Sequence, residues 1–240
     1  MRVLVVTAVP AERDAVTAAG PLPVQLPLPG GAELHRVHPD GGVVFDVLAA
    51  GVGPAAAAAG TAGALTAAAL GGAPYDLVVS AGIAGGFAPG APLGSLVVSD
   101  EITAADLGAQ TPDGFVPVTE LGFGTVAHRA PEELVRRVVR ATGALRGVVL
   151  TVSTITGSAE RAVELVARHP GALAEAMEGF GVAEAAVAHG VPVLELRAVS
   201  NAVGPRDRAA WRIGEALAAL TDAFRALPPA LTLPSPEVLR

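Results

Sequence analysis

Short, uninterrupted runs of β-branched and aliphatic residues recur along this chain, and most lead into a stretch that reads as a helix. They occupy Arg2–Ala8, Val43–Ala50, Tyr75–Gly82, Leu96–Ile102, Gly147–Ser153 and Val191–Val199. A strand that is apolar on both sides must be covered on both sides, as in parallel sheets with helical crossovers. The alternation therefore predicts an α/β, single-domain three-layer fold with a twisted, mostly parallel mixed central sheet flanked by helices. The 240 residues suit one domain. We expect it over residues 1–226, followed by a loosely packed, proline-rich tail at 227–240.

Local signals place the helices. Pro10 suits a first helical turn and Gly20 a helix end. Further helices are expected at 54–70, 131–142, 158–168, 173–189 (closed by Gly190) and 207–226. Residues 21–31 read as a loop, Leu34–Val37 as a rather exposed strand, and 103–127 as a long loop region with edge strands. The uncharged stretch between Asp46 and Asp76 is broken by Gly51, Gly53, Pro54, Gly60, Gly71 and Gly72, which argues against a membrane span.

Charge and composition remove several classes of function. The formal net charge is −7, all sixteen basic residues are arginine, and there is no cysteine. Nucleic acid and anionic membranes are poor partners for such a surface. Disulfides, zinc–thiolate sites and thiol nucleophiles are excluded, which suits a cytoplasmic location. The five histidines, His35, His38, His128, His169 and His189, show no metal-ligand spacing; His35 and His38 read as incidental on a surface strand. We expect no metal and no organic cofactor.

Four positions stand out chemically. Glu12 falls in the first turn of the first helix, just past the carboxyl end of the first strand, where the helix terminus favours a carboxylate. Glu178 lies among alanines, glycines and valines, beside Ala174, Gly181 and Val182 at helical spacing. An unpaired buried carboxylate is costly, so it should bind a ligand or pair with a cation such as Arg197. Gly179 and Gly181 disfavour a helix and suggest a close backbone approach. Asn201, the single asparagine, ends the last apolar strand, where ligands of α/β sheets sit. Gly82, Gly85 and Gly86 fit neither a Walker pattern nor a dinucleotide fingerprint.

Pro10-Ala11-Glu12, Ser80-Ala-Gly-Ile-Ala-Gly-Gly86, Ala176-Met177-Glu178 and Arg197-Ala-Val-Ser-Asn201 occur in the order and approximate spacing of the purine nucleoside phosphorylase-like superfamily. Over about residues 2–225 the chain resembles the hydrolase branch, the methylthioadenosine/S-adenosylhomocysteine nucleosidases, and within it the futalosine hydrolases. The resemblance implies a purine nucleoside and water as substrates and at least a homodimer. It makes Glu12 the general base that activates water, and Met177 and Glu178 the pair at the ribose. Asn201 would grip the purine at N7 and the 6-position, while Gly82, Gly85 and Gly86 admit the nucleoside close to the backbone.

The departures also carry information. The nucleosidases acting on methylthioadenosine have an aspartate at the place of Asn201. An amide can donate to a 6-oxo group while accepting from N7–H, which points to hypoxanthine as the leaving group. Glu160 stands where relatives carry an aromatic beside the base, so Phe87 and Phe180 are candidates to contact the purine. Ala176 replaces an acid. Futalosine carries a benzoate, for which Arg206, Arg208 and Arg36 are candidate partners. The competing readings are a nucleosidase for 6-aminopurine nucleosides, a phosphorylase and a non-catalytic nucleoside-binding protein. The Val-Val-Ser80-Ala-Gly82 strand end offers no arginine for phosphate.

Overall fold

In the first strand, β1 (Arg2–Thr7), Val3, Leu4 and Val5 are fully buried because neighbouring strands flank it and helices cover both its faces. The computed structural model describes residues 1–231. In chain order the elements after β1 are α1 (Pro10–Thr17), β2 (Val24–Pro27), β3 (Glu33–Val37), β4 (Val44–Ala49), α2 (Pro54–Leu70) and β5 (Leu77–Gly86). Next come β6 (Leu96–Ala104), β7 (Gly108–Thr111), β8 (Gly114–Pro117), β9 (Ala127–Arg129), α3 (Glu132–Thr142) and β10 (Leu145–Thr151). The last are α4 (Ala159–Arg168), β11 (Ala172–Ala176), α5 (Gly179–Ala188), β12 (Val193–Ala202), α6 (Ile213–Ala226) and α7 (Pro228–Leu231).

The main sheet has the order β11-β10-β6-β12-β5-β1-β4-β3-β2, with β9 paired to β6, while β7 and β8 form a separate hairpin. β1 runs parallel to β4 and β5, β5 parallel to β12, and β10 parallel to β6 and β11. β12 with β6, and β3 with β2 and β4, are antiparallel. One half of the sheet curls so far that β11 also pairs antiparallel with the end of β5, Glu175 opposite Gly85. On one face α1, α3, α6 and α7 pack over a core containing Phe45, Leu196 and Phe224. On the other, α2 and α5 cover Leu4, Leu48 and Val78. The expected α/β layering is present.

Several expected elements differ. The stretch 173–189 is not one helix: 172–176 form β11, and α5 begins only at Gly179. The small residues there allow either conformation, and pairing with β10 and β5 decides for strand. The expected close approach at the glycines is made by the protein itself. A side chain at Gly181 would strike the carbonyl of Pro54, and one at Gly179 the carboxylate of Glu195. β3 is an inner strand between β2 and β4, so Leu34, His35 and Val37 are buried rather than exposed. Residues 24–27 of the expected loop form β2. The final long helix starts at Ile213, after a 3₁₀ turn at Arg208–Ala210.

The packed chain also continues past residue 226. Leu227 and Leu231 are fully buried, with α7 closing the core against α3 and α6. Prolines at the start of α7 are compatible with a short helix. The remainder of the expected tail, 232–240, lies outside the described residues. Among the described residues no helix is long and apolar enough to cross a membrane.

Candidate active site

The carboxyl ends of β1, β5 and β12 converge with β11 on a cleft of about 260 Å³. Glu12 is delivered there by the turn from β1 into α1 and is 4% exposed. Its Oε2 accepts the N–H groups of Ala8 (3.0 Å) and Val9 (3.3 Å), and its Oε1 that of Ile83 (2.8 Å). A carboxylate offers about four lone-pair sites, so one stays open for a water. Gly82 lies directly behind it. A methyl group there would come within 2.7 Å of Arg197 Nη1 and 2.9 Å of Glu12 Cδ. Gly82 thus makes room for two charged side chains, which is a different use from the close approach of a ligand to backbone.

Glu178 sits at the amino end of α5, not within a helix, and is 5% exposed. Its Oε1 accepts the Gly53 N–H at the start of α2 (3.2 Å), and its Oε2 accepts its neighbour Met177 N–H (3.3 Å). Arg197 Nη1 pairs with it at 3.4 Å, so the cation partner expected for a buried acid is real. The ion pair does not withdraw the carboxylate, which still lines the cleft beside Met177. Arg197 also donates to Glu195 through Nε (2.8 Å) and to Ser80 through Nη2 (3.0 Å). Complete burial pushes the Glu195 carboxyl above its ordinary range, against the pull of Arg197.

Asn201 lies near the end of β12, opposite Gly85 of β5, after a shift of register between Val199 and Asn201. Such irregularities re-aim side chains at the ends of strands. The Ser200 hydroxyl donates to Asn201 Oδ1 (2.9 Å), and Asn201 Nδ2 donates to the Ala202 carbonyl (3.0 Å). One acceptor site on Oδ1 and one N–H on Nδ2 remain available. From Gly82, beside Glu12, to Gly85, beside Asn201, β5 advances three residues, roughly 10 Å. The acids and the amide therefore mark opposite ends of one cleft.

The remaining expected residues divide. Gly85 lines the cleft, but Gly86 faces away, packed against the Ala91 carbonyl and Val199. Phe87 is 4% exposed among Leu150, Val152 and Leu165, where the chain leaves β5. Phe180, in the first turn of α5, packs into the core and stacks on His128 at 5.4 Å. Neither phenyl ring lines the cleft; its aromatic is Trp211. Glu160 is exposed in the first turn of α4, away from the cleft. Of the three arginines considered, Arg36 is bound to Asp46 (2.6 Å) and Arg208 does not line the cleft. Arg206 lies at its rim, over the Trp211 ring.

Sequence reasoning missed Glu175, Thr156, Glu195 and Trp211. The two-residue spacing of Glu195 and Arg197 on an apolar strand places both on one face, and could have revealed that pair. The contact between Glu175 and Thr156 depends on the curl of the sheet and has no local signal. A larger groove of about 600 Å³, between Gly90–Leu96, the end of α3 and α6, contains none of the candidate acids.

With this geometry in view, comparison with known proteins is direct. The model of the phosphorylase superfamily matches residues 2–227. A futalosine hydrolase of Streptomyces coelicolor is 71% identical over 96% of this chain and 97% of its own length. The chain belongs to the phosphorylase superfamily, among the futalosine hydrolases. A second member of that family, from Acidothermus cellulolyticus, is 45% identical over 93% of this chain and 89% of its own. The native structure of the Helicobacter pylori futalosine hydrolase shares the fold, with a TM-score of 0.79 at 19% identity, covering 96% and 98% of the two chains. So does the adenine complex of a methylthioadenosine/S-adenosylhomocysteine nucleosidase from Colwellia psychrerythraea, with a TM-score of 0.81 at 21% identity and 96% of each chain covered.

Proposed function

We propose that this chain is an N-glycosyl hydrolase that splits futalosine into hypoxanthine and dehypoxanthine futalosine, a step of menaquinone biosynthesis by the futalosine route. The observation that carries this reading is the convergence of Glu12, Glu178 and Asn201 on one cleft, the acids at one end and the amide at the other. The 71% identity to a futalosine hydrolase supports the choice of nucleoside.

The chemistry follows from the free valences. The open sites on Asn201 accept from N7–H and donate to O6, favouring the protonated base as leaving group. Glu178 accepts from the ribose hydroxyls and meets the positive charge that develops as the C–N bond stretches. Water held at the remaining site of Glu12 gives up a proton as it attacks the anomeric carbon. A phosphorylase is disfavoured because the guanidinium beside Glu12, that of Arg197, is already charge-balanced by Glu178 and Glu195 and brings no surplus positive charge to a phosphate. The exposed Val163 and Val166, which line one apolar groove, favour a homodimer or larger homo-oligomer. Turnover of a nucleoside intermediate of metabolism is in keeping with the cytoplasm.

The test is base release in phosphate-free buffer from futalosine, aminodeoxyfutalosine, methylthioadenosine and inosine side by side. Selective release of hypoxanthine from futalosine is the expected result. Adenine release alone would overturn the base preference. A strict need for phosphate would overturn hydrolysis, and no release at all would leave a binding protein.

A further inference from the structure

Glu175 is a buried acid that the mechanism above does not use. It is 2% exposed, yet it contributes to the cleft wall. Both of its oxygens are held by Thr156, whose N–H donates to Oε1 (2.9 Å) and whose hydroxyl donates to Oε2 (2.5 Å). Among the described residues it has no ion-pair partner within reach, unlike Glu178. A carboxyl group of that kind, placed in an apolar wall, is expensive unless something else bonds to it.

Its position along the cleft says what that could be. Glu175 lies opposite Gly85 on one side of β5, and Asn201 lies opposite Gly85 on the other. Gly82, three residues back along β5, is the point at which Glu12 of α1 and Arg197 of β12 approach that strand. Glu175 therefore belongs to the end of the cleft that holds the base, separated from Asn201 by the width of Gly85. A purine gripped by Asn201 at N7 and O6 has one polar ring edge left beside the 6-position, which is N1. In a 6-oxopurine N1 carries a hydrogen and donates; in a 6-aminopurine N1 is bare and accepts. Thr156 uses two acceptor sites of Glu175 and leaves about two.

We propose that Glu175, oriented by Thr156, accepts the N1–H of a 6-oxopurine and is a specificity-determining residue of the cleft. The inference rests on the reading of the reaction given above and adds a second, independent reader of the base. A bare N1 facing a carboxylate would leave both acceptors unpaired, which is the arrangement by which sites built for a hydrogen bond reject close analogues. Asn201 and Glu175 would then report different atoms, O6 with N7 on one side and N1 on the other.

The experiment measures inhibition constants of hypoxanthine, 1-methylhypoxanthine and adenine against the wild-type chain and the Glu175→Gln, Glu175→Val and Thr156→Val variants. Wild type should prefer hypoxanthine to both other bases. Glu175→Val should erase the discrimination against the N1-methyl group, a change of about 10-fold or more. Glu175→Gln should shift the hypoxanthine-to-adenine ratio in the same direction, because an amide can also donate to a bare N1. Thr156→Val should show a smaller version of that shift. An equal weakening of all three bases would mean that Glu175 only anchors the loop, and would overturn the proposal. So would a wild type indifferent to N1 methylation. Failure of the broader reading is registered separately, as no hypoxanthine formed from futalosine by the wild-type chain.

Discussion

Replacing Gly82 by alanine tests whether the position of Glu12, rather than its mere presence, controls turnover. The added methyl carbon would collide with Glu12 Oε1 and would stand 2.9 Å from Glu12 Cδ and 2.7 Å from Arg197 Nη1. Carbon atoms settle no closer than about 3.5 Å, so the carboxylate must retreat by roughly 0.6 Å or more. The backbone of Gly82 is not in the left-handed region, so the change adds no conformational strain of its own. Retreat weakens the 2.8 Å bond from Ile83 N–H, which is of the charge-assisted kind worth about 1.5–3 kcal/mol. Misplacement of a reacting group by about 1 Å costs on the order of 100-fold in rate, so a loss of roughly 10- to 100-fold in kcat is expected. Binding of hypoxanthine, at the far end of the cleft, should change less than threefold, about 0.7 kcal/mol or less. The assay is single-turnover base release together with calorimetric titration of hypoxanthine. A Gly82→Ala variant with unchanged kcat and an unchanged melting curve would refute the assignment of Glu12 as the water-activating base.

Two further outcomes follow from the same geometry. Glu12→Gln keeps an acceptor for the backbone amides but cannot take a proton, so kcat should fall by about 100- to 10,000-fold with little change in KM; an equal loss of binding, seen by product titration, would remove its role as base. Burial raises the Glu175 carboxyl in the folded chain, although Thr156 pulls the other way. An acid raised on folding stabilises the fold below its unfolded value, near 4.3, and that contribution is lost as pH rises through the folded value. Glu175→Gln should therefore gain stability relative to wild type as pH rises above the unfolded value, as followed by thermal melting. A difference that stays constant with pH would contradict the raised value.

The layering of this fold was legible because apolar strands and their helical partners leave local traces. Val3–Val6 and Leu77–Val79 are recognisable wherever they occur, and Pro10 with Gly20 bracket the first helix closely. Glu12 and Asn201 could be picked out because strand ends and helix starts are where α/β sheets gather polar groups. Glu178 drew notice as an isolated acid, but its surroundings were misread. Ala172–Ala176 have no strong preference of their own, so only pairing in three dimensions shows that a strand precedes α5. The two phenylalanines illustrate the same limit from the other side. An aromatic near a motif can serve the core as readily as a ligand, and Phe87 and Phe180 serve the core. Trp211 reaches the cleft from a segment of irregular backbone that carries no periodic signal.

β5 has one more consequence. Because the acid end and the amide end of the cleft are registered on the same extended strand, their separation is a multiple of the backbone rise and acts as a fixed gauge. No side-chain substitution can lengthen it, and an insertion would throw every later residue of β5 onto the opposite face. The distance between sugar and base is therefore rigid, whereas the Arg206–Trp211 rim, on a loop, can be rebuilt without disturbing it. Descendants of this chain could change what hangs from the ribose far more readily than they could change the size of the base.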